Sequence, residues 1–176
     1  MFDKMRALAQ EFHVLQGVHM TLPQQAADAI TSAAGWQPAR PNDDGVFRFR
    51  LEEDLEMDFF SPDGRTGIFR STLATLPDTE AEAEVLLKTC AQRAVAASRK
   101  RKSILSIDTG RLQLHRAVRL DGLAPDMLAR VASDEARAFL NDLAWWQAQT
   151  GSKPGQAAAP SPFSLSGFGG SWSPGR

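Results

Sequence analysis

From residue 46 to residue 70 the chain reads VFRFRLEEDLEMDFFSPDGRTGIFR, apolar at every second position and interrupted by two turn-like clusters. A period of two belongs to strands, because successive side chains of an extended backbone point to opposite faces. Phe47, Phe49 and Leu51 share one face of a first strand, and Arg48 and Arg50 take the other. In a second strand Leu55, Met57 and Phe59 alternate with Glu56 and Asp58. A loop at Glu52, Glu53 and Asp54 sets Phe49 opposite Met57, Phe47 opposite Phe59, Arg50 opposite Glu56 and Arg48 opposite Asp58. A slip of one residue would set apolar against charged at every rung, so the pattern itself specifies the register. The next turn, SPDG, has proline second and glycine fourth, as a type I turn followed by a left-handed residue requires. Pairing Ser61 with Arg65 then predicts Phe69 beside Met57, with an Arg50–Glu56–Arg70 charge ladder on the opposite face.

The period changes on either side of this meander. Phe2, Met5, Leu8, Phe12 and Leu15 recur at helical spacing, and Gly17 can stop that helix. A second helical segment has Pro23 early, then Ala26, Ile30, Ala33 and Ala34, and closes at Gly35. QPARPNDDG is turn chemistry throughout. After Leu76-Pro77, the stretch DTEAEAEVLLKTCAQRAVAASRKRKS reads as a helix capped by Asp78 or Thr79, acids first and bases at its end, as the helix dipole favours. ILSI (104–107) and RLQLHRAVRL (111–120) read as a hairpin around DTG, with Leu112, Leu114, Val118 and Leu120 alternating. DGLAPDML opens a long last helix striped by Leu128, Val131, Phe139, Leu143 and Trp146. The predicted fold class is α+β: a twisted antiparallel five-stranded sheet with helices in the order α-β-β-β-α-β-β-α, plus an extra N-terminal helix.

The domain is expected to span residues 1–150, with 1–20 a helical extension, followed by a tail at 151–176. Glycine, proline and serine supply 16 of the last 26 residues, and no acid is present, which predicts disorder for the isolated segment. Phe163, Leu165, Phe168 and Trp172 punctuate it, which a plain linker does not need.

Composition narrows the function. A length of 176 residues allows one domain with a real core, and a net charge of −1 announces neither nucleic acid nor a membrane as partner. The single cysteine, Cys90, excludes an internal disulfide and suits a reducing compartment. Charged residues break up the first twenty positions, so neither a signal peptide nor a membrane span is expected there.

No motif carries a reaction. His13, His19 and His115 lie at no metal-ligand spacing. Cys90 sits among Leu86, Leu87 and Ala94, which reads as a packed thiol rather than a nucleophile. Glu52, Glu53 and Asp54 read as a solvated loop, and GFGG in the tail has no strand before it and no helix after it. The run Arg99, Lys100, Arg101 and Lys102 suits a helix end, with phosphate contact as the competing use. The chain therefore reads as a binding protein rather than an enzyme, with no cofactor and no metal.

The order of elements over residues 22–150 resembles the CesT/SycE-like class I chaperones of type III secretion. FRFRLEEDLEMDFFSPDG is similar to that family's first hairpin, TGIFRSTLATLP to its third strand, EVLLKTCAQRAV to its second helix, and ILSIDTGRLQLHRAVRLDGLAPDML to its last hairpin and turn. The helix at 2–16 and the tail go beyond the shortest members. The resemblance implies a bacterial cytoplasmic homodimer that binds an extended, unfolded N-terminal segment of a secreted effector protein without ATP. The secretion ATPase or sorting machinery would be a further partner. Client contact would fall to Leu22, Ala26, Ile30 and Trp36 and to Phe47, Phe49, Met57, Phe59 and Phe69, the sheet residues being core first. The dimer would use Leu86, Leu87, Cys90 and Ala94 with Ile104 and Leu105. The tail would cover a groove of its own chain or dock on the export machinery. The competing reading is a nucleic-acid-binding or regulatory α+β module using 99–102 and Arg111, which would bind in a salt-sensitive way.

Overall fold

The computed structural model describes residues 20–52 and 55–150. The extra helix expected at 2–16, the loop residues Glu53 and Asp54, and the tail at 151–176 lie outside them. The elements run α1 (Leu22–Ala34), β1 (Phe47–Glu52), β2 (Leu55–Phe60), β3 (Thr66–Thr75), α2 (Glu80–Ala97), β4 (Ile104–Asp108), β5 (Arg111–Arg119) and α3 (Pro125–Thr150). The five strands form one antiparallel sheet in the order β1-β2-β3-β5-β4, which leaves β1 and β4 as its edges. The expected fold class is the observed one.

Local chemistry explains the boundaries. The Thr21 hydroxyl accepts from the Gln24 N–H to start α1, and Gly35 ends it at φ 69°, a left-handed conformation that costs glycine nothing. Thr79 starts α2, but its hydroxyl donates to Glu82 at 2.6 Å instead of capping the backbone. The last turn of α2 has no base: the basic run follows the helix rather than closing it.

The first hairpin has the predicted pairs, Phe47 with Phe59, Arg48 with Asp58, Phe49 with Met57 and Arg50 with Glu56. The second does not. Phe59 rather than Met57 stands opposite Phe69, and Asp58 rather than Glu56 stands opposite Arg70. The Asp63 carboxylate is the cause: it accepts from the N–H groups of Arg65 and Thr66 at 2.8 and 2.7 Å, closing a wider loop than SPDG alone implies. A shift of two keeps every side chain on its face. The charge ladder becomes Arg48–Asp58–Arg70, with both guanidinium groups 2.9 Å from the carboxylate.

The core lies between the apolar sheet face and two helices. Phe59 and Phe69 pack with tilted rings 4.9 Å apart between centres, and Phe139 of α3 stacks on Phe69 at 5.8 Å. α1 lies against α3, where the Ser133 hydroxyl donates to the Ala29 carbonyl at 3.3 Å. Each large side chain fully buried here contributes roughly 1.5–3 kcal/mol.

Gly67 makes room for the Phe59 ring. A Cβ there would lie 2.5 Å from Phe59 Cε2 and 3.0 Å from Val118 Cγ1. Gly67→Ala should cost about 1–3 kcal/mol through overpacking. Urea unfolding checks this, and an unchanged midpoint would mean that the ring has room to move.

Candidate functional site

α2 and β4 leave apolar surface open. Only Cys90 of the 18 residues in α2 is buried. Six large apolar side chains are exposed among the described residues, and four of them, Val85, Val95, Ile104 and Ile107, belong to α2 and β4. Val95 is 77 % exposed and Ile104 66 %, which has no benefit for an isolated molecule in water.

Most of this surface faces one groove of about 930 Å³. Leu87, Cys90, Ala94 and Val95 form its helical wall, and Ile104, Leu105 and Ile107 form its strand wall. Leu112 and Trp146 reach it from the core, and the Trp146 indole N–H is buried without a hydrogen-bond partner among the described residues. Five of the six residues expected at a dimer contact thus come together. Leu86 does not: it lies on the other flank of α2, beside Val85, Arg93 and Thr150.

A buried charge network sets the groove's far end. Asp142 of α3 accepts from Arg101 Nη1 at 2.8 Å, from the Ser103 hydroxyl at 2.7 Å and from Arg116 Nη1 at 3.2 Å. Arg116 also meets Glu135 at 2.5 Å. The side chains of Arg116 and Asp142 are only 8 % and 7 % exposed. One carboxylate thereby ties the chain leaving α2 and the start of β4 to the middle of β5. Sequence reasoning missed these residues, although two signals existed. Arg116 interrupts the apolar series Leu112, Leu114, Val118, and Asp142 falls within the stripe Phe139, Leu143, Trp146.

The network also divides the basic run. Arg101 turns inward, its guanidinium 4.6 Å from the Trp145 ring centre as well as on Asp142, while Arg99, Lys100 and Lys102 are exposed. The stacked, paired arginine is structural.

The residues expected to touch a client divide sharply. Ala26, Ile30, Phe47, Phe49, Met57, Phe59 and Phe69 are all buried. They support the platform from beneath, because the helices that cover the sheet take up its apolar face. Leu22 and Trp36 are half-buried. Trp36 lies 5.8 Å from the Phe49 ring and, with Ile30, Ala33, Ala136 and Leu140, lines a small apolar cleft between α1 and α3.

The titratable groups have structural roles. Burial pushes the Cys90 thiol up, against the opposing charge of Arg93, so it stays protonated and packs as an apolar group. Burial, with help from Arg70 and against Asp108, pushes His115 down, leaving a neutral imidazole. Desolvation alone would raise the Asp58 carboxyl, but the hydrogen bonds and charges of Arg48 and Arg70 outweigh it and place it below the ordinary carboxylate range. A carboxyl lowered on folding stabilises the protein above its unfolded value of about 3.9 and loses that contribution as pH falls through the folded value. Asp58→Asn should therefore lower the urea midpoint at pH 7, with a deficit that shrinks below about pH 4. A deficit of constant size would show that the ladder is not charge-based.

The fold is thus an α+β platform with an open apolar groove at its edge. The model of the Tir chaperone protein (CesT) family matches residues 25–135. The chain belongs to that family. Among solved structures, the ExsC–ExsE complex aligns with a TM-score of 0.52 at 11 % identity, covering 74 % of this chain and 94 % of that one. The HopA1–SchA chaperone–effector complex gives 0.49 at 15 % identity, covering 72 % and 94 %. ExoU–SpcU, from the type III secretion system of Pseudomonas aeruginosa, gives 0.46 at 16 %, covering 70 % and 95 %. No curated protein matches the sequence. No helix among the described residues is long and apolar enough to cross a membrane.

Proposed function

We propose that this chain is a type III secretion chaperone that binds an extended, unfolded segment of a secreted effector protein and keeps it soluble and competent for export without ATP. The observation that carries the reading is the CesT family match over residues 25–135, on a fold whose apolar surface is open rather than enclosed. An extended segment can pair its backbone with a free sheet edge and set alternate side chains into apolar clefts, and neither step needs a catalytic group. β1 offers such an edge beyond Phe47, where Pro41 makes a single bridge to it, and the cleft at Trp36 lies beside it through Phe49.

The active form is a homodimer in the bacterial cytoplasm, joined across α2 and β4. A two-fold contact brings the same groove of each copy together and covers Val95, Ile104 and Ile107 twice over. It also places two client surfaces along one effector chain. The reducing cytoplasm suits a single buried, protonated thiol.

Affinity capture of the tagged chain from its native cell, with mass spectrometry of what comes with it, tests the reading. A secreted protein should co-purify through its N-terminal segment. Recovery of RNA-binding proteins and nucleic acid instead, removed by salt, would move the assignment to the basic residues Arg99, Lys100, Lys102 and Arg111.

A further inference from the structure

The second apolar groove on α2 has no part in the contact just described. α2 and α3 run antiparallel, since Arg101 Nη1 donates to the Asn141 carbonyl and Arg93 Nη1 to that of Gln149. Thr150, the last described residue of α3, is level with Arg93, so among the described residues no helix covers that flank of the first three turns of α2. Ala81, Glu82, Val85, Leu86, Thr89 and Arg93 line the resulting groove of about 510 Å³, which Gln149 and Thr150 close at one end. Val85 is 67 % exposed in it.

We infer that this groove is the docking site of the chain's own C-terminal segment, through the apolar residues Phe163, Leu165 and Phe168. Three observations select that occupant over a second copy or a client. Thr150, the last described residue, itself lines the groove, so the segment that follows is tethered at its mouth. Tethering through a short linker raises the effective concentration toward the millimolar range, which allows a weak contact to be occupied. The reach also fits. The groove follows α2 from Ala81 to Arg93, about 18 Å of helix. Phe163 is 13 residues beyond Thr150, a length of chain that can reach at most about 43–47 Å, more than enough to span the groove. Charge agrees as well: residues 151–176 carry Lys153 and Arg176 and no acid, whereas the opening turns of α2 carry Glu80, Glu82 and Glu84.

The consequence is a division of labour on one helix. The flank with Leu87, Ala94 and Val95 is left for the second copy, and the flank with Val85 and Leu86 belongs to the same chain. Docking there removes apolar surface at the dimer's margin without competing for the dimer groove. It does not depend on the chaperone reading.

Hydrogen exchange on the full-length protein tests this. The comparison is with a full-length variant carrying Phe163→Ser, Leu165→Ser and Phe168→Ser. The amides of residues 81–93 should exchange at least ten-fold faster in the variant, and residues 160–170 should lose their protection with them. Val85→Asp, at an exposed position that leaves the core intact, should release 160–170 in the same way. Equal exchange of 81–93 in the two proteins would overturn the assignment. So would protection that survives the tail substitutions and grows with protein concentration, because a second copy would then be the occupant. Failure of either kind leaves client capture unaffected and so separates this inference from the proposed function.

Discussion

Replacing Asp142 with alanine should destabilise the protein by about 3–5 kcal/mol, because removing one member of a buried ion network leaves the remaining charges under-compensated. Among them is Arg116, whose side chain is 8 % exposed and would have only Glu135 beside it. Arg101 and the Ser103 hydroxyl lose their acceptor at the same time. The loss should extend to the groove, since those residues start β4 from the end of α2. Joint replacement by Arg116→Met and Asp142→Leu should cost less than Asp142→Ala alone, because an apolar pair of similar volume requires no compensation. Urea unfolding of the three proteins decides the matter. A loss of under about 1 kcal/mol for Asp142→Ala would show that water reaches Arg116 and that the network is not a structural anchor.

The second large effect concerns association. Ile104→Asp should convert the proposed dimer to monomer, raising its dissociation constant at least 100-fold. Ile104 is 66 % exposed in the single chain, so aspartate there costs the monomer little. Across a two-fold contact the substitution appears twice and buries two carboxylates in an apolar groove, each with a penalty of several kcal/mol. Light scattering with chromatography at micromolar concentration reads the mass directly, and circular dichroism confirms that the fold is intact. A dimer that survives the change would place the subunit contact elsewhere.

What the sequence revealed follows physical lines. The first hairpin was legible to the residue pair, because two oppositely patterned strands leave one register that satisfies both faces. The next register was not, since SPDG suggests a tight turn and only the folded loop shows Asp63 capping two further N–H groups. The shared face nevertheless came out right, because a slip of two preserves it. Leu87, Cys90, Ala94, Ile104 and Leu105 were named from the family resemblance, not from periodicity, and they line one groove. Leu86 faces the other flank because adjacent helical residues point about 100° apart. The seven buried client candidates mark a limit of a different kind: periodicity identifies an apolar face but not which element covers it. Asp142 stayed hidden since a charge within an apolar stripe acquires meaning only when its partner, 26 positions away, is in view.

Whether this platform holds another protein's extended chain is decided by hydrogen exchange on the captured complex, compared with the effector alone. A contiguous N-terminal stretch of the effector should be unprotected when free and protected on the chaperone, together with slowed exchange along β1 and around Trp36. An effector whose protection is the same with and without the chaperone, as in an already folded domain, would contradict the proposed function.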